Sequence, residues 1–141
     1  MSGAQILLVE DDDVLCDVIE QNLCARGHQV WIAKDVQSAL AYLRTQDFDL
    51  IVLDINLPDQ TGWDVLRVAR SEGRLPPEVE GGKLPVIVLS AVHVSPARLA
   101  EFRPLAYLPK PFPLEALLRL AAEAQQRKAG SLPVHEEDLY A

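Results

Sequence analysis

The sequence predicts an α/β fold, a doubly wound five-stranded parallel sheet in one domain, and three observations predict it. Short apolar runs alternate with amphipathic stretches through five cycles, the pattern of a parallel sheet with helices packed on its faces. Four of the five runs stop at or just before a chemically distinctive residue: Glu10-Asp11, Asp54, Ser90 and Lys110. The chain has 141 residues, 49% hydrophobic and 24% charged, which is enough for one real core and ordinary for a globular domain.

Gln5-Ile6-Leu7-Leu8-Val9 is the first strand, and the acidic run Glu10-Asp11-Asp12-Asp13 follows it. Val14, Leu15, Val18, Ile19 and Leu23 then recur at helical spacing, and Gly27 supplies a stop. Val30-Trp31-Ile32-Ala33 makes a second strand, Asp35 is a fitting N-cap, and Ala39, Leu40, Tyr42 and Leu43 are the apolar positions of a second helix. Leu50-Ile51-Val52-Leu53 is a continuous apolar run, suited to a strand buried on both faces, and it delivers Asp54 to a loop. Asp59-Gln60-Thr61-Gly62 is turn chemistry, and Trp63, Leu66, Val68 and Ala69 predict a third helix ending near Ser71. Residues 72–83 hold Pro76-Pro77 and Gly81-Gly82 and read as an irregular loop. Pro85-Val86-Ile87-Val88-Leu89-Ser90 is the fourth strand, with its proline at the first position. A fourth helix after Pro96 is held to about two turns by Pro104. Ala106-Tyr107-Leu108-Pro109 is an edge strand, and residues 113–128, led by Pro113 and followed by Gly130, form the last helix.

In open parallel sheets, ligands sit beyond the carboxyl ends of the strands. Glu10, Asp11, Asp54, Ser90 and Lys110 all fall there. Each has an ordinary reading when taken alone. Either Asp12 or Asp13 can cap the first helix, Asp54 can serve a turn, Ser90 can bond nearby backbone, Lys110 can be solvated, and Tyr107 can be a half-buried edge aromatic. Their combination points elsewhere. Carboxylates converging on one sheet end repel by about 4 kcal/mol per pair at about 4 Å and an effective dielectric of about 20, so a positive group belongs among them. An oxygen-only set without His or Cys suits Mg²⁺.

A formal net charge of −8 argues against direct binding to nucleic acid, which rests on clustered Lys and Arg. No apolar run approaches the length that spans a bilayer, and residues 1–9 lack the basic start of a signal peptide, so no membrane insertion and a cytoplasmic location are expected. Cys16 and Cys24 lie about 12 Å apart on one helix, too far for a disulfide.

Four motifs in order carry a family resemblance: Ile6-Leu7-Leu8-Val9-Glu10-Asp11-Asp12, then Leu53-Asp54-Ile55-Asn56-Leu57-Pro58 with Gly62, then Leu89-Ser90-Ala91, then Tyr107-Leu108-Pro109-Lys110-Pro111-Phe112. Together they resemble the receiver domain of bacterial two-component response regulators. The resemblance covers residues 5–128 and implies a flavodoxin-like receiver fold with strand order 2-1-3-4-5 over residues 1–129. Residues 130–141, with Glu136, Glu137 and Asp138, are expected to be a mobile acidic tail. The resemblance also implies that Asp54 is phosphorylated, by attack on a phosphohistidine of a histidine kinase or histidine phosphotransfer protein. It implies Mg²⁺ held by Asp11, Asp54 and the Asn56 carbonyl, and through water by Glu10. Lys110 and Ser90 would meet phosphoryl oxygens, and Ser90 and Tyr107 would switch a helix 4/strand 5/helix 5 face toward a downstream protein or a homodimer partner. The Lys110-Pro111 peptide matches one commonly cis in the family. No enzymatic turnover is implied beyond the chain's own aspartyl phosphorylation and dephosphorylation. Three features depart from the family pattern: the interval from Asp54 to Ser90 is several residues longer than usual, the interval from Ser90 to Lys110 is slightly short, and Pro96 and Pro104 crowd the fourth helix. The alternative is a constitutive protein-interaction module with a vestigial pocket. An aspartyl phosphatase is disfavoured, because Asn56 stands where its second carboxylate would be.

Overall fold

The computed structural model describes residues 3–130. In chain order these form β1 (Gln5–Val9), α1 (Asp13–Ala25), β2 (Gln29–Ala33), α2 (Val36–Thr45), β3 (Leu50–Asp54), α3 (Gly62–Ser71), β4 (Leu84–Ser90), α4 (Pro96–Phe102), β5 (Pro104–Pro109) and α5 (Leu114–Ala129). All five strands are parallel in the order β2-β1-β3-β4-β5, as expected. The acidic tail expected over 130–141 lies, apart from Gly130, outside the described residues.

The side-chain alternation of the central strands builds two cores. Leu7, Val9, Ile51 and Leu53 point to one face and pack with Val36 and Leu40 of α2 and Val65 and Leu66 of α3. Ile6, Leu8, Leu50 and Val52 point to the other and meet Ile19 and Leu23 of α1 and Leu117 and Ala121 of α5. Every residue of β3 and β4 is buried, which is why these strands read as unbroken apolar runs rather than alternating ones.

Asp12 is the cap of α1, its carboxylate accepting from the N–H groups of Val14 at 3.0 Å and Leu15 at 3.1 Å. The buried stripe of that helix is Cys16, Ile19 and Leu23; Val14 and Val18 are 73% and 42% exposed. Cys16 and Cys24 are free thiols, and burial pushes the Cys16 thiol up to about 11. Residues 72–83 are irregular except for a 3₁₀ turn over Glu80–Gly82, closed by an antiparallel bridge between Val79 and Lys83. α4 has seven residues, capped by Ser95 with Pro96 in its first turn, and it ends on Arg103 in the left-handed region at φ 50°. Phe102 is its one buried residue; the ring stacks on Trp63 at 5.4 Å, with the Arg70 guanidinium 4.7 Å from its centroid. The Arg103 guanidinium donates to the Gly81 carbonyl, tying the long loop to the end of α4. β5 starts two residues earlier than the sequence suggested, because Leu84 N–H donates to the Arg103 carbonyl and Leu84 pairs with Pro104. Among the described residues no helix is long and apolar enough to cross a membrane.

Candidate functional site

Parallel register sets the site. Val9 of β1 lies opposite Leu53 of β3, so the residues that follow, Glu10 and Asp54, leave adjacent strands side by side. Both are buried, Glu10 at 0% and Asp54 at 3% exposure. Two buried carboxylates need a counter-charge, and the loop after β5 supplies it. Lys110 Nζ lies 2.8 Å from Glu10 Oε1 and 3.0 Å from Asp54 Oδ2. The Lys110 backbone is itself fixed, its N–H donating to the Ser90 carbonyl at 2.8 Å. Lys110-Pro111 is cis.

The remaining carboxylate oxygens are bonded to backbone: Glu10 Oε2 accepts from Asp12 N–H at 3.1 Å, and Asp54 Oδ1 accepts from Asn56 N–H at 2.9 Å. Burial raises the Glu10 pKa above the usual carboxylate value, with the Lys110 hydrogen bond opposing it. Burial also pulls Lys110 down, but its hydrogen bonds to Glu10 and Asp54 carry it above the ordinary lysine value, so it is held as a cation. Asp11 is exposed, and one oxygen from each of Glu10, Asp11 and Asp54 lies within 4.8 Å of the others. The cluster offers hard oxygen donors only, a set that fits Mg²⁺ and suits softer metals poorly.

The loop after Asp54 folds straight back. Asn56 and Thr61 form an isolated antiparallel bridge, and Gly62 N–H donates to the Ile55 carbonyl at 2.8 Å. A Cβ on Gly62 would lie 2.4 Å from the Asp54 carbonyl oxygen, so the return of α3 requires glycine there.

Ser90 ends the neighbouring strand, buried at 1% exposure. Its hydroxyl donates to the Val92 carbonyl at 2.8 Å and accepts from Val92 N–H at 3.1 Å, the local backbone bonding that a strand-end serine commonly makes. The half-buried Tyr107 donates its hydroxyl to the same Val92 carbonyl at 3.4 Å. Glu10, Asp11, Asp54 and Lys110 are therefore gathered into one cluster, with Asn56 joined to it through its backbone. Ser90 and Tyr107 meet one another at Val92.

The model of the response regulator receiver domain family matches residues 6–122. The chain belongs to that family. Among its relatives, the response regulator PmrA of Pseudomonas aeruginosa is 39% identical over 139 residues, covering 94% of this chain and 59% of that protein. FleR of the same organism is 34% identical over 138 residues, covering 96% of this chain and 27% of FleR. The receiver domain thus spans less than two thirds of these relatives. The receiver domain of the Pseudomonas aeruginosa sensor histidine kinase PA1611, solved with a magnesium ion coordinated in its active-site cleft, is 32% identical with a TM-score of 0.69, covering 92% of this chain and 100% of that one. The flavodoxin-like receiver fold is thereby established.

One groove adjoins this receiver's site at Lys110, and a second lies away from it. The first, of about 400 Å³, is lined by Val14, Leu15, Val18, Lys110, Pro111 and Phe112, among them the exposed valines of α1. The other, of about 470 Å³, lies between α4 and β5 beside Leu99, Arg103 and Tyr107. Sequence reasoning missed one residue of the site's surroundings. Asp59, read as turn chemistry, gives its carboxylate to the backbone of α2. The partners are more than 20 residues away in sequence, and no local signal could have named them.

Proposed function

We propose that this receiver domain, residues 1–129, accepts a phosphoryl group on Asp54 from the phosphohistidine of a histidine kinase or histidine phosphotransfer protein. The observation that carries the reading is the Lys110 ammonium held between two buried carboxylates, with a third close by. A constitutive interaction module would gain nothing from burying that charge, since apolar replacements of similar volume are commonly neutral or stabilising.

A carboxylate nucleophile such as Asp54 needs no general base to activate it. One of its oxygens forms a bond to phosphorus as the phosphorus–nitrogen bond breaks, and the imidazole leaves with the electron pair. Asp11, Asp54, the Asn56 carbonyl and, through water, Glu10 would hold Mg²⁺, which when bound neutralises charge on the carboxylates and on the transferring oxygens. Lys110 then trades its hydrogen bond to Asp54 for a phosphoryl oxygen, retaining Glu10 as its other partner. Ser90 turns from the Val92 carbonyl to a second phosphoryl oxygen, leaving that carbonyl to Tyr107 and altering the face made by α4, β5 and α5. The donor protein docks along the apolar groove that Val14, Val18 and Phe112 line beside Lys110. A downstream protein or a second copy takes the α4 side, the compartment is the cytoplasm, and the chain turns over no substrate other than its own aspartyl phosphate.

Intact-protein mass spectrometry after incubation with Mg²⁺ and acetyl phosphate tests this. One phosphoryl group should add to the wild type and none to Asp54→Ala. An undiminished gain in the variant, or none in the wild type with either acetyl phosphate or a phosphorylated histidine donor, overturns it.

A further inference from the structure

The N-terminus of α2 is closed by two aspartates from different parts of the chain. Asp35, its own cap, accepts from Ser38 N–H at 2.8 Å through its side chain and from Ala39 N–H at 3.1 Å through its carbonyl. The first two amides of the helix are left for Asp59, 23 residues downstream. The Asp59 carboxylate accepts from Val36 N–H at 3.0 and 3.1 Å and from Gln37 N–H at 3.3 Å. The N–H groups of Val36, Gln37 and Ser38, which have no intrahelical acceptor, are thus satisfied, two of the three by a residue of the β3–α3 loop. The same carboxylate also accepts from Gln60 N–H at 3.0 Å, which fixes its own turn.

That loop is the one that carries Asn56 away from Asp54. Its far end is set by the Asn56–Thr61 bridge and by Gly62 against the Asp54 carbonyl. Between these, Asn56, Pro58, Asp59 and Gln60 are exposed, and Leu57 alone packs against the core. Asp59 is the polar tie that joins the exposed middle of the loop to a rigid element. Its carboxyl is held below the ordinary aspartate value by the Val36 N–H, consistent with an ionised acceptor at the positive end of a helix.

We infer that Asp59 is a positioning residue for the acidic pocket: by bonding the first two amides of α2 it clamps the β3–α3 loop, and so holds the Asn56 backbone where a cation shared with Asp11 and Asp54 needs it. The inference rests on the proposed acceptor role of Asp54. It adds a residue that touches neither phosphoryl group nor metal. Because a helix cap also stabilises its helix, Asp35→Ala is the control, since it weakens the same helix end without touching the loop.

Three readouts on Asp59→Ala, Asp59→Asn and Asp35→Ala decide the matter: amide hydrogen exchange, Mg²⁺ affinity followed by tryptophan fluorescence, and the rate of phosphorylation by acetyl phosphate. In Asp59→Ala the Val36, Gln37 and Asn56 amides should exchange about tenfold faster. The Mg²⁺ Kd should rise about fivefold, with phosphorylation at fixed subsaturating Mg²⁺ slowed to match. Asp59→Asn, which keeps one acceptor oxygen, should recover part of each, and Asp35→Ala should leave the Mg²⁺ Kd unchanged. An unchanged Asn56 amide and Mg²⁺ Kd in Asp59→Ala, or an equal loss in Asp35→Ala, overturns the clamp. A wild type that binds Mg²⁺ but takes no phosphoryl group overturns the acceptor reading instead and leaves the exchange and affinity comparisons to decide the role of Asp59.

Discussion

Glu10 carries an energetic tension that Lys110 only partly relieves. Burial raises its pKa above 4.5 in spite of the Lys110 hydrogen bond, so the folded chain binds that proton more tightly than the unfolded chain does. Its contribution to stability is therefore fully present below about pH 4.5 and is lost as the pH rises through the higher folded-state value. Lys110, raised above 10.5, behaves likewise at the alkaline end: its contribution holds below 10.5 and is lost above, as the pH passes the folded value. In Mg²⁺-free buffer the urea midpoint of Glu10→Gln, measured relative to wild type, should move in the variant's favour between pH 4.5 and neutrality; a constant difference would show that Glu10 is not the strained group. Gly62 is constrained by space instead. A methyl group there would sit 2.4 Å from the Asp54 carbonyl oxygen, and overpacking against backbone typically costs about 1–3 kcal/mol. Gly62→Ala should lower the free energy of unfolding, measured by urea denaturation, by that amount and displace the amide resonances of Asp54 and Ile55. The carboxylates, Ser90 and Lys110 were legible in the sequence because each ends an apolar run. The local backbone bonding of Ser90 was legible too, as the ordinary reading of a strand-end serine, but the clamp of Asp59 was not, since pairings between distant loops leave no periodic trace.

α4 is the element with the least holding it. One buried ring, Phe102, packs between α4 and α3, stacked on Trp63 and covered by Arg70, while the rest of the helix is exposed or only partly covered. Truncating a buried Phe to Ala commonly costs about 3–5 kcal/mol. Phe102→Ala should therefore release α4 before the sheet: the α4 amides after Pro96 exchange faster and Trp63 emission shifts to longer wavelength, with β3 and β4 protection retained. Loss of protection across the whole sheet at once would instead mean that α4 unfolds only with the core. The prolines at 96 and 104 announced the length of this helix correctly. α1 was harder to read. Val14, Leu15, Val18, Ile19 and Leu23 share helical spacing, but the sheet takes the stripe through Cys16, Ile19 and Leu23 and leaves Val14 and Val18 outside. Hydropathy records how apolar a face is, not which neighbour covers it.

Across the whole molecule, the strand order does most of the assembly. β1 and β3 lie side by side in the sheet's middle, so the acidic ends of two strands far apart in sequence become neighbours, and β5 at the edge brings the cation. The number and type of elements were legible from periodicity, and the strand order came only with the family motifs, because alternation along a chain does not say which strand lies next to which. Lys110 lies 100 residues after Glu10 and 56 after Asp54. As the chain leaves the ribosome, the two buried carboxylates are therefore made long before their counter-ion. A nascent chain that has not yet released its fifth strand can pair β1 with β3 only by confining two negative charges with nothing of its own between them. The last strand thus supplies the counter-charge that neither central strand carries at its own end.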